Sequence, residues 1–502
     1  MPRLRAAAAL SLAGAFFCGG SARAQFGRGA PEWMADGGDA QRSQWIRSDP
    51  KISVQSLSKP GFEMVWKIKL AHEPGPAATL DRYIGYRGFR SLALMASPSG
   101  DLTGIDTDLG RIEWKRNLPV SAARGSAVCS AGMEAEAVRP TNAAYPGAPA
   151  GRGGGGMFGR SGPAKSGVGE AGEGAVTIAE IAARAAAANP TAGRGGRAPG
   201  APGMPGGPEF RRMPTLLDVL ASDGMLHSMY ISNGEEPAAP TPFLPADAKA
   251  HGLIVVNNVA YAATTDGCAG APNGVWALDL ASKQVVHWET ASGVAGQAGF
   301  AFGPDGTVYA ATNSGELVAL DPKTLEVKAT YRADGQSFAS SPLVFEHQTK
   351  SWVAAAGKDG RVHLVDAASL TGAAYPAAAS GDLASWQDGG GTRWIAAPSK
   401  DAIAAWKVAD QEGSPALQPG WTSREMASPM TPVVINGVVF AVSNASSPVL
   451  YAFDGSSGRE LWNSGKTMSA QIHHGVLSGS DTRLYLGTSD GTFYAFGFPI
   501  EH

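Results

Sequence analysis

An all-β ring of eight four-stranded blades, a β-propeller closed by an N-terminal strand, is what this sequence predicts, and three observations predict it. A short phrase of turn glycine, alternating apolar residues and a closing Asp recurs along the chain. Its copies end 41 to 49 residues apart over most of the length, and that period, with short alternating strands, marks propeller blades. The chain carries 66 Gly and 34 Pro in 502 residues, a usage that favours many turns over long helices.

The clearest copies are Ser99-Gly-Asp-Leu-Thr-Gly-Ile-Asp106, Asn273-Gly-Val-Trp-Ala-Leu-Asp279, Ser314-Gly-Glu-Leu-Val-Ala-Leu-Asp321, Asp359-Gly-Arg-Val-His-Leu-Val-Asp366 and Pro448-Val-Leu-Tyr-Ala-Phe-Asp454. Degenerate copies end at Tyr230, Lys407 and Gly497, which makes eight. Each is preceded by another alternating run, such as Thr307 to Thr312 or Gly437 to Val442, and the tight turn between them takes Gly because it needs positive φ. The last copy leaves no room for a fourth strand. Residues 63–69 around Trp66 form a strand without a blade of their own, so they are expected to complete blade 8 and remove the exposed edges.

One step breaks the period, the 124 residues from Asp106 to Tyr230. Between Tyr145 and Phe210 the chain has 19 glycines in 66 residues, and without that stretch the step falls to 58. So Gly-rich a segment cannot bury enough apolar surface to offset chain entropy, and it is expected to be a disordered insertion in blade 2. The domain plan is therefore a signal peptide at 1–24, the start of the propeller at 25–144, the insertion at 145–210 and the rest of the propeller at 211–502.

The N-terminus carries a targeting pattern. Arg3 and Arg5 precede an apolar run from Ala6 to Phe17, and Ala22-Arg23-Ala24 supplies a small-residue cleavage site. The run is too short to span a bilayer. Ala15-Phe16-Phe17 ahead of Cys18 departs from the small residues that lipidation wants, so cleavage near Ala24 and a periplasmic or secreted protein are expected, with lipidation at Cys18 as the alternative. Cys129 and Cys268 are then left as an even pair in an exported chain. One disulfide between blades 2 and 3 is the expectation, two separate buried thiols the other reading.

With 41 Lys+Arg against 44 Asp+Glu, the net charge of −3 argues against a nucleic-acid partner. No G-x-S-x-G, P-loop, H-E-x-x-H or EF-hand pattern occurs, which removes the hydrolases, nucleotidases and metal sensors that use them. Arg82, Arg87 and Arg90 interleave with Tyr83, Tyr86 and Phe89, a pattern that suits either an anion grip or, more commonly, surface stacking.

At Asp106 to Trp114 and Asp454 to Trp462 the spacing D-x-x-x-G-x-x-x-W is complete. This resembles the PQQ-type repeat of the quinoprotein alcohol dehydrogenase-like propellers. The resemblance implies that Trp66, Trp114, Trp288 and Trp462 dock between neighbouring blades. Lys283, Leu325 and Leu370 stand where the repeat has its turn Gly. The resemblance also implies PQQ with calcium as a possible cofactor pair, although the adjacent cysteines that cover the quinone in those dehydrogenases have no counterpart here. The same repeat builds non-enzymatic exported scaffolds, including the outer-membrane assembly lipoprotein.

Inner strands of a propeller line its channel, so the residues at their entrances are the natural binding positions. That places His251, Gln297, Ser340, Ser341, Thr431, His473 and His474 near the axis as candidate ligand or cofactor contacts. Neighbouring His473 and His474 point to opposite faces of a strand and cannot chelate one ion together. The expected function is a monomeric module that binds a protein partner or a small ligand through its channel and top face, and the alternative is a PQQ-dependent periplasmic oxidoreductase.

Overall fold

The computed structural model describes residues 32–85, 88–120, 129, 136–145, 216–411, 413–473, 477–480 and 482–499. Its strands form eight sheets, each of four antiparallel strands and one of them carrying a fifth, parallel strand, arranged as the successive blades of a propeller. Blade 1 comprises Ala78–Gly85, Gly88–Ala96, Asp101–Asp106 and Arg111–Asn117. Blade 2 begins at Ala137–Val138 and resumes at Leu216–Leu220, so the Gly-rich insertion separates its first and second strands. Apart from Tyr145, that insertion lies outside the described residues, as do the N-terminal targeting pattern, His474, Tyr86 and Arg87.

The ring closes as the sequence predicts. Glu63–Lys69 pairs antiparallel with Thr492–Gly497, for example Lys67 opposite Tyr494, and becomes the outermost strand of blade 8. Alternation then decides the packing, because one face of each strand row meets the next blade. Buried clusters fill the blade interfaces: Leu92, Leu94 and Trp114 of blade 1 meet Leu217, Val219 and Met229 of blade 2, and Phe440 and Leu450 of blade 7 meet Leu484 and Phe496 of blade 8.

The repeat's Asp has a local job. Asp106, Asp279, Asp321, Asp366 and Asp454 each turn a carboxylate oxygen back to accept backbone N–H groups two or three residues on, the Asx-type turn that a short acidic side chain favours. The residue four positions after the Asp needs positive φ, 59° at Gly110 and 72° at Gly458. Lys283, Leu325 and Leu370 take the same conformation at 61°, 55° and 48° despite their side chains, which costs about 1–2 kcal/mol for a non-glycine residue. Leu325 and Leu370 offset this by burying their side chains in the blade interfaces.

The turn glycine also makes room for an indole from the preceding blade. A Cβ at Gly110 would sit 2.5 Å from the Trp66 ring, and one at Gly234 would sit 2.6 Å from that of Trp114. Trp66 and Trp114 donate their Nε1–H to the carbonyls of Thr107 and Ile231 in the next blade, both at 2.8 Å. Trp462 of blade 7 packs edge-on against Phe62, 4.9 Å between ring centres, at the start of the closing strand. Trp288 packs against the cluster that contains Leu325 of blade 4. A fifth tryptophan does the same work. Trp421 of blade 6 donates to the Gly455 carbonyl at 2.8 Å and lies over Gly458. No D-x-x-x-G precedes it, because Ala402–Gln411 and Ser414–Thr422 run into each other through a tight hairpin.

Candidate functional site

The innermost strands all start on one face of the ring, here the entry face, and end on the opposite, exit face. The entrances of blades 3 to 6 interlock. A Cβ at Gly252 would lie 2.6 Å from the Ala298 carbonyl, and one at Gly296 would strike Ser341 at 1.7 Å, so these blade entrances approach closely only because both positions are glycine with positive φ. Ser341 Oγ accepts the Gly299 N–H at 3.0 Å, and its own N–H donates to Asp382 Oδ1 at 2.6 Å. Ser340 Oγ accepts the Ala356 N–H at 2.7 Å. His251, Gln297, Ser340 and Ser341 thus share one arc of the entry face. Gln297 is exposed, whereas both serines are buried. Thr431 is half-buried at the entrance of blade 7, and His473 lies at blade 8, where its N–H donates to Glu73 Oε1 at 2.7 Å.

The channel behind this arc holds the chain's own residues 33–46, a segment the repeat pattern does not reveal. Trp33, Met34, Ala40, Gln41, Ser43, Gln44 and Ile46 accept, through their carbonyls, backbone N–H groups of Thr79, Arg139, Phe302, Val344, Ser385, Val434 and Asn436. Those donors come from blades 1, 2, 4, 5, 6 and 7 in turn. Blade 3 is reached by Arg42, whose Nη2 donates to the Gly252 carbonyl at 2.9 Å. Blade 8 is reached by Ile46, against which a Cβ at Gly479 would lie at 2.7 Å. Trp45–Ile46 finally runs parallel to Val433–Ile435 as a fifth strand of blade 7. Buried backbone groups need partners, and here the inner strands and the segment satisfy one another.

Burial sets the protonation of this region. His251 is pushed down to about 4, first by desolvation and then by the nearby cations Lys249 and Arg42, and its Nε2 is buried without a partner. Asp382 is pushed up to about 6 by desolvation against the bonds it receives from Ser341 and Gln297. Folded Asp382 holds its proton to about pH 6 and an unfolded Asp only to 3.8, so stability falls as pH rises through that window. His251 acts in the opposite sense, since its folded pKa lies below the ordinary 6.5 and stability is lost as pH drops toward about 4. Asp382→Asn removes the first effect. Relative to wild type, this variant should gain up to about 3 kcal/mol on going from pH 4 to pH 7, read from urea unfolding at both pH values. A pH-independent difference would show that Asp382 titrates normally.

The arc does not fit PQQ with calcium. A fused-ring quinone with a cation needs an open, flat floor and free oxygen donors, whereas here the segment 33–46 is the floor and the serine hydroxyls are engaged by backbone amides. Among the described residues no group of three or more His, Cys, Asp or Glu side chains is placed to hold a metal ion. Two outer clefts open between blades instead. One of 700 Å³ between blades 4 and 5 is lined by Asp305, Tyr309, Lys328 and Lys350. The other, of 680 Å³ between blades 1 and 2, is lined by Arg116, Asp223, His227 and Glu236.

Two further sequence expectations concern single contacts. Cys129 and Cys268 form a disulfide, with 5.7 Å between their Cα atoms, linking the segment before blade 2 to the middle loop of blade 3. Arg90 of the Arg/Tyr stretch pairs with Glu113 at 2.5 Å.

Eight blades, the Asp-capped turns and the docked tryptophans define the class: the chain is an eight-bladed β-propeller. Residues 273–496 match the family model described as outer membrane protein assembly factor BamB. BamB from Moraxella catarrhalis superposes with a TM-score of 0.50 at 14% identity, over 87% of this chain and 100% of its own. The quinohemoprotein alcohol dehydrogenase of Comamonas testosteroni gives 0.56 at 12% identity, over 94% and 81%. A europium-containing methanol dehydrogenase gives 0.56 at 9% identity, over 93% and 98%. At such identities the likeness is one of fold. No curated protein sequence matches the chain. Among the described residues no helix is long and apolar enough to cross a membrane.

Proposed function

We propose that this protein is an exported, non-catalytic propeller that binds a protein partner through its rim loops and outer clefts. The observation that carries this reading is the channel segment: residues 33–46 reach every blade and take up the channel with the chain's own backbone. The match of residues 273–496 to an outer-membrane assembly factor supports a protein partner in the cell envelope. The N-terminal Arg3/Arg5 and Ala6–Phe17 pattern, together with the Cys129–Cys268 disulfide, supports an oxidising compartment outside the cytoplasm. A monomer fits a ring closed by its own N-terminal strand, which leaves only the short outer edges of the blades.

The competing reading is a PQQ-dependent oxidoreductase using His251, Gln297, Ser340, Thr431, His473 and His474. One experiment separates them. Purified full-length protein is titrated with PQQ and calcium, and dye-linked oxidation of alcohols and sugars is followed. The expected result is no saturable quinone binding and no turnover, alongside a discrete cross-linked envelope protein when photo-reactive residues replace Lys328 or Glu236 in the clefts. Quinone-dependent turnover that is lost in a His473→Ala, His474→Ala double variant would reject the binding reading.

A further inference from the structure

On the exit face, the channel segment and the blades it crosses bring two arginines to one indole. Trp45 extends the inner edge of blade 7, opposite Val434, so Arg47 emerges just beyond the strand end. Arg393 opens the second strand of blade 6 at the same level. The guanidinium carbon of Arg47 lies 4.1 Å from the Trp45 ring centre and that of Arg393 5.4 Å from it. Arg393 also stands 6.0 Å from the ring of Phe345, in the middle of the inner strand of blade 5.

We propose that Arg47, Arg393 and the Trp45 indole form a binding site for the carboxylate or phosphate group of a small anionic ligand. Three buried N–H donors carry it: Arg47 Nε, Arg393 Nε and Trp45 Nε1 all lack a hydrogen-bond partner. Arg393 is only 8% exposed. A buried guanidinium normally finds an acceptor, because an unpaired buried charge is costly, and the other buried arginines here do. Arg42 is held by the carbonyls of Asp36, Gly252 and Phe300, Arg139 by Glu32 and the Thr79 carbonyl, and Arg483 by the Thr107 carbonyl and Asp108.

The charged neighbours do not fill that role. Glu346 and Asp39 are the carboxylates whose field reaches Arg47, and Tyr145 lies close to both arginines. Asp39, however, is bonded to Ser43 through its side-chain oxygens, and the Tyr145 hydroxyl donates to Ser351 Oγ at 2.9 Å. Glu346 is exposed, and among the described residues it forms no ion pair with either arginine. The two guanidinium groups instead disfavour each other's charge. An oxyanion resolves this: it accepts charge-assisted bonds from planar forks that are already stacked on an aromatic face, so little side-chain freedom remains to be lost.

The test titrates full-length protein with inorganic phosphate and, separately, with citrate, at ionic strength balanced by sodium chloride, using calorimetry and thermal melts. At least one probe should bind saturably and raise the Tm of the wild type. Which of the two does so identifies a phosphate or a carboxylate as the recognised group. Arg47→Gln and Arg393→Gln should each weaken binding by about ten- to a hundredfold, the worth of one charge-assisted hydrogen bond. Arg459→Gln, on an exposed turn, should bind like the wild type. In anion-free buffer Arg47→Gln should melt no lower than wild type, since it relieves repulsion. Absence of saturable binding by both probes, unchanged affinity in Arg47→Gln, or a lowered melting point of Arg47→Gln in anion-free buffer would each overturn the site. Should Arg393→Gln not fold, Arg47→Gln alone decides.

Discussion

Replacing Arg42 with Met lowers stability by about 3–5 kcal/mol, the usual cost of stranding the partners of a buried charge. Arg42 is 2% exposed and sits in the channel with φ of 56°, a conformation that non-glycine residues adopt only when their surroundings impose it. Its guanidinium bonds the carbonyls of Asp36, Gly252 and Phe300, which ties the segment to blades 3 and 4. The carboxylates of Asp36, Glu136, Asp39 and Asp382 all supply field to it. Methionine fills a similar volume but leaves three carbonyls and several acids without their cation. Guanidinium unfolding curves of wild type and Arg42→Met at pH 7 measure the loss. The deficit should shrink at pH 4, where Asp382, pushed up to about 6 by burial, is protonated; burial raises Asp36 in the same direction. A loss under about 1 kcal/mol would mean that the segment 33–46 is not anchored in the channel by this residue.

The propeller itself was legible because a ring of similar blades writes its period into the chain. Asp106, Asp279, Asp321, Asp366 and Asp454 cap equivalent turns, and the missing fourth strand of the last copy pointed directly to residues 63–69. What a repeat cannot encode is whatever occurs once. Residues 33–46 belong to no blade and lie in the channel through backbone bonds, which are blind to side-chain identity. Only Trp33, Trp45 and Ile46 hinted that the stretch after the targeting pattern is buried. The candidate site was half legible for a related reason. Counting back from each repeat found the entrances of blades 3 to 5, and so His251, Gln297, Ser340 and Ser341. Asp382 and Arg42, which set the charge behind them, come from sequence positions that carry no motif. Trp421 escaped because its docking is a matter of where the ring reaches, and its own hairpin lacks the Asp-to-Gly spacing that flags the others.

Trp114→Ala should cost about 3–5 kcal/mol, comparable to deleting any large buried aromatic. The side chain bridges blades 1 and 2 with 8% exposure, and its ring covers two glycines at once. A Cβ at Gly104 would lie 2.4 Å from the indole, and one at Gly234 would lie 2.6 Å from it, so neither blade has side-chain mass to move into the space that alanine would leave. The cavity term is therefore near its upper end, because backbone strands on both sides cannot collapse inward without breaking their ladders. The indole bond to the Ile231 carbonyl at 2.8 Å adds a smaller share. Trp114→Phe separates the two contributions. It keeps most of the ring and loses the donor, so about 1–2 kcal/mol should be lost in that variant and the remainder only in Trp114→Ala. Denaturant midpoints of the three proteins measure this directly. Equal losses in Phe and Ala would place the whole effect in the hydrogen bond, and a loss below about 1 kcal/mol in Ala would mean that blades 1 and 2 cohere through Leu92, Leu94, Leu217 and Val219 alone.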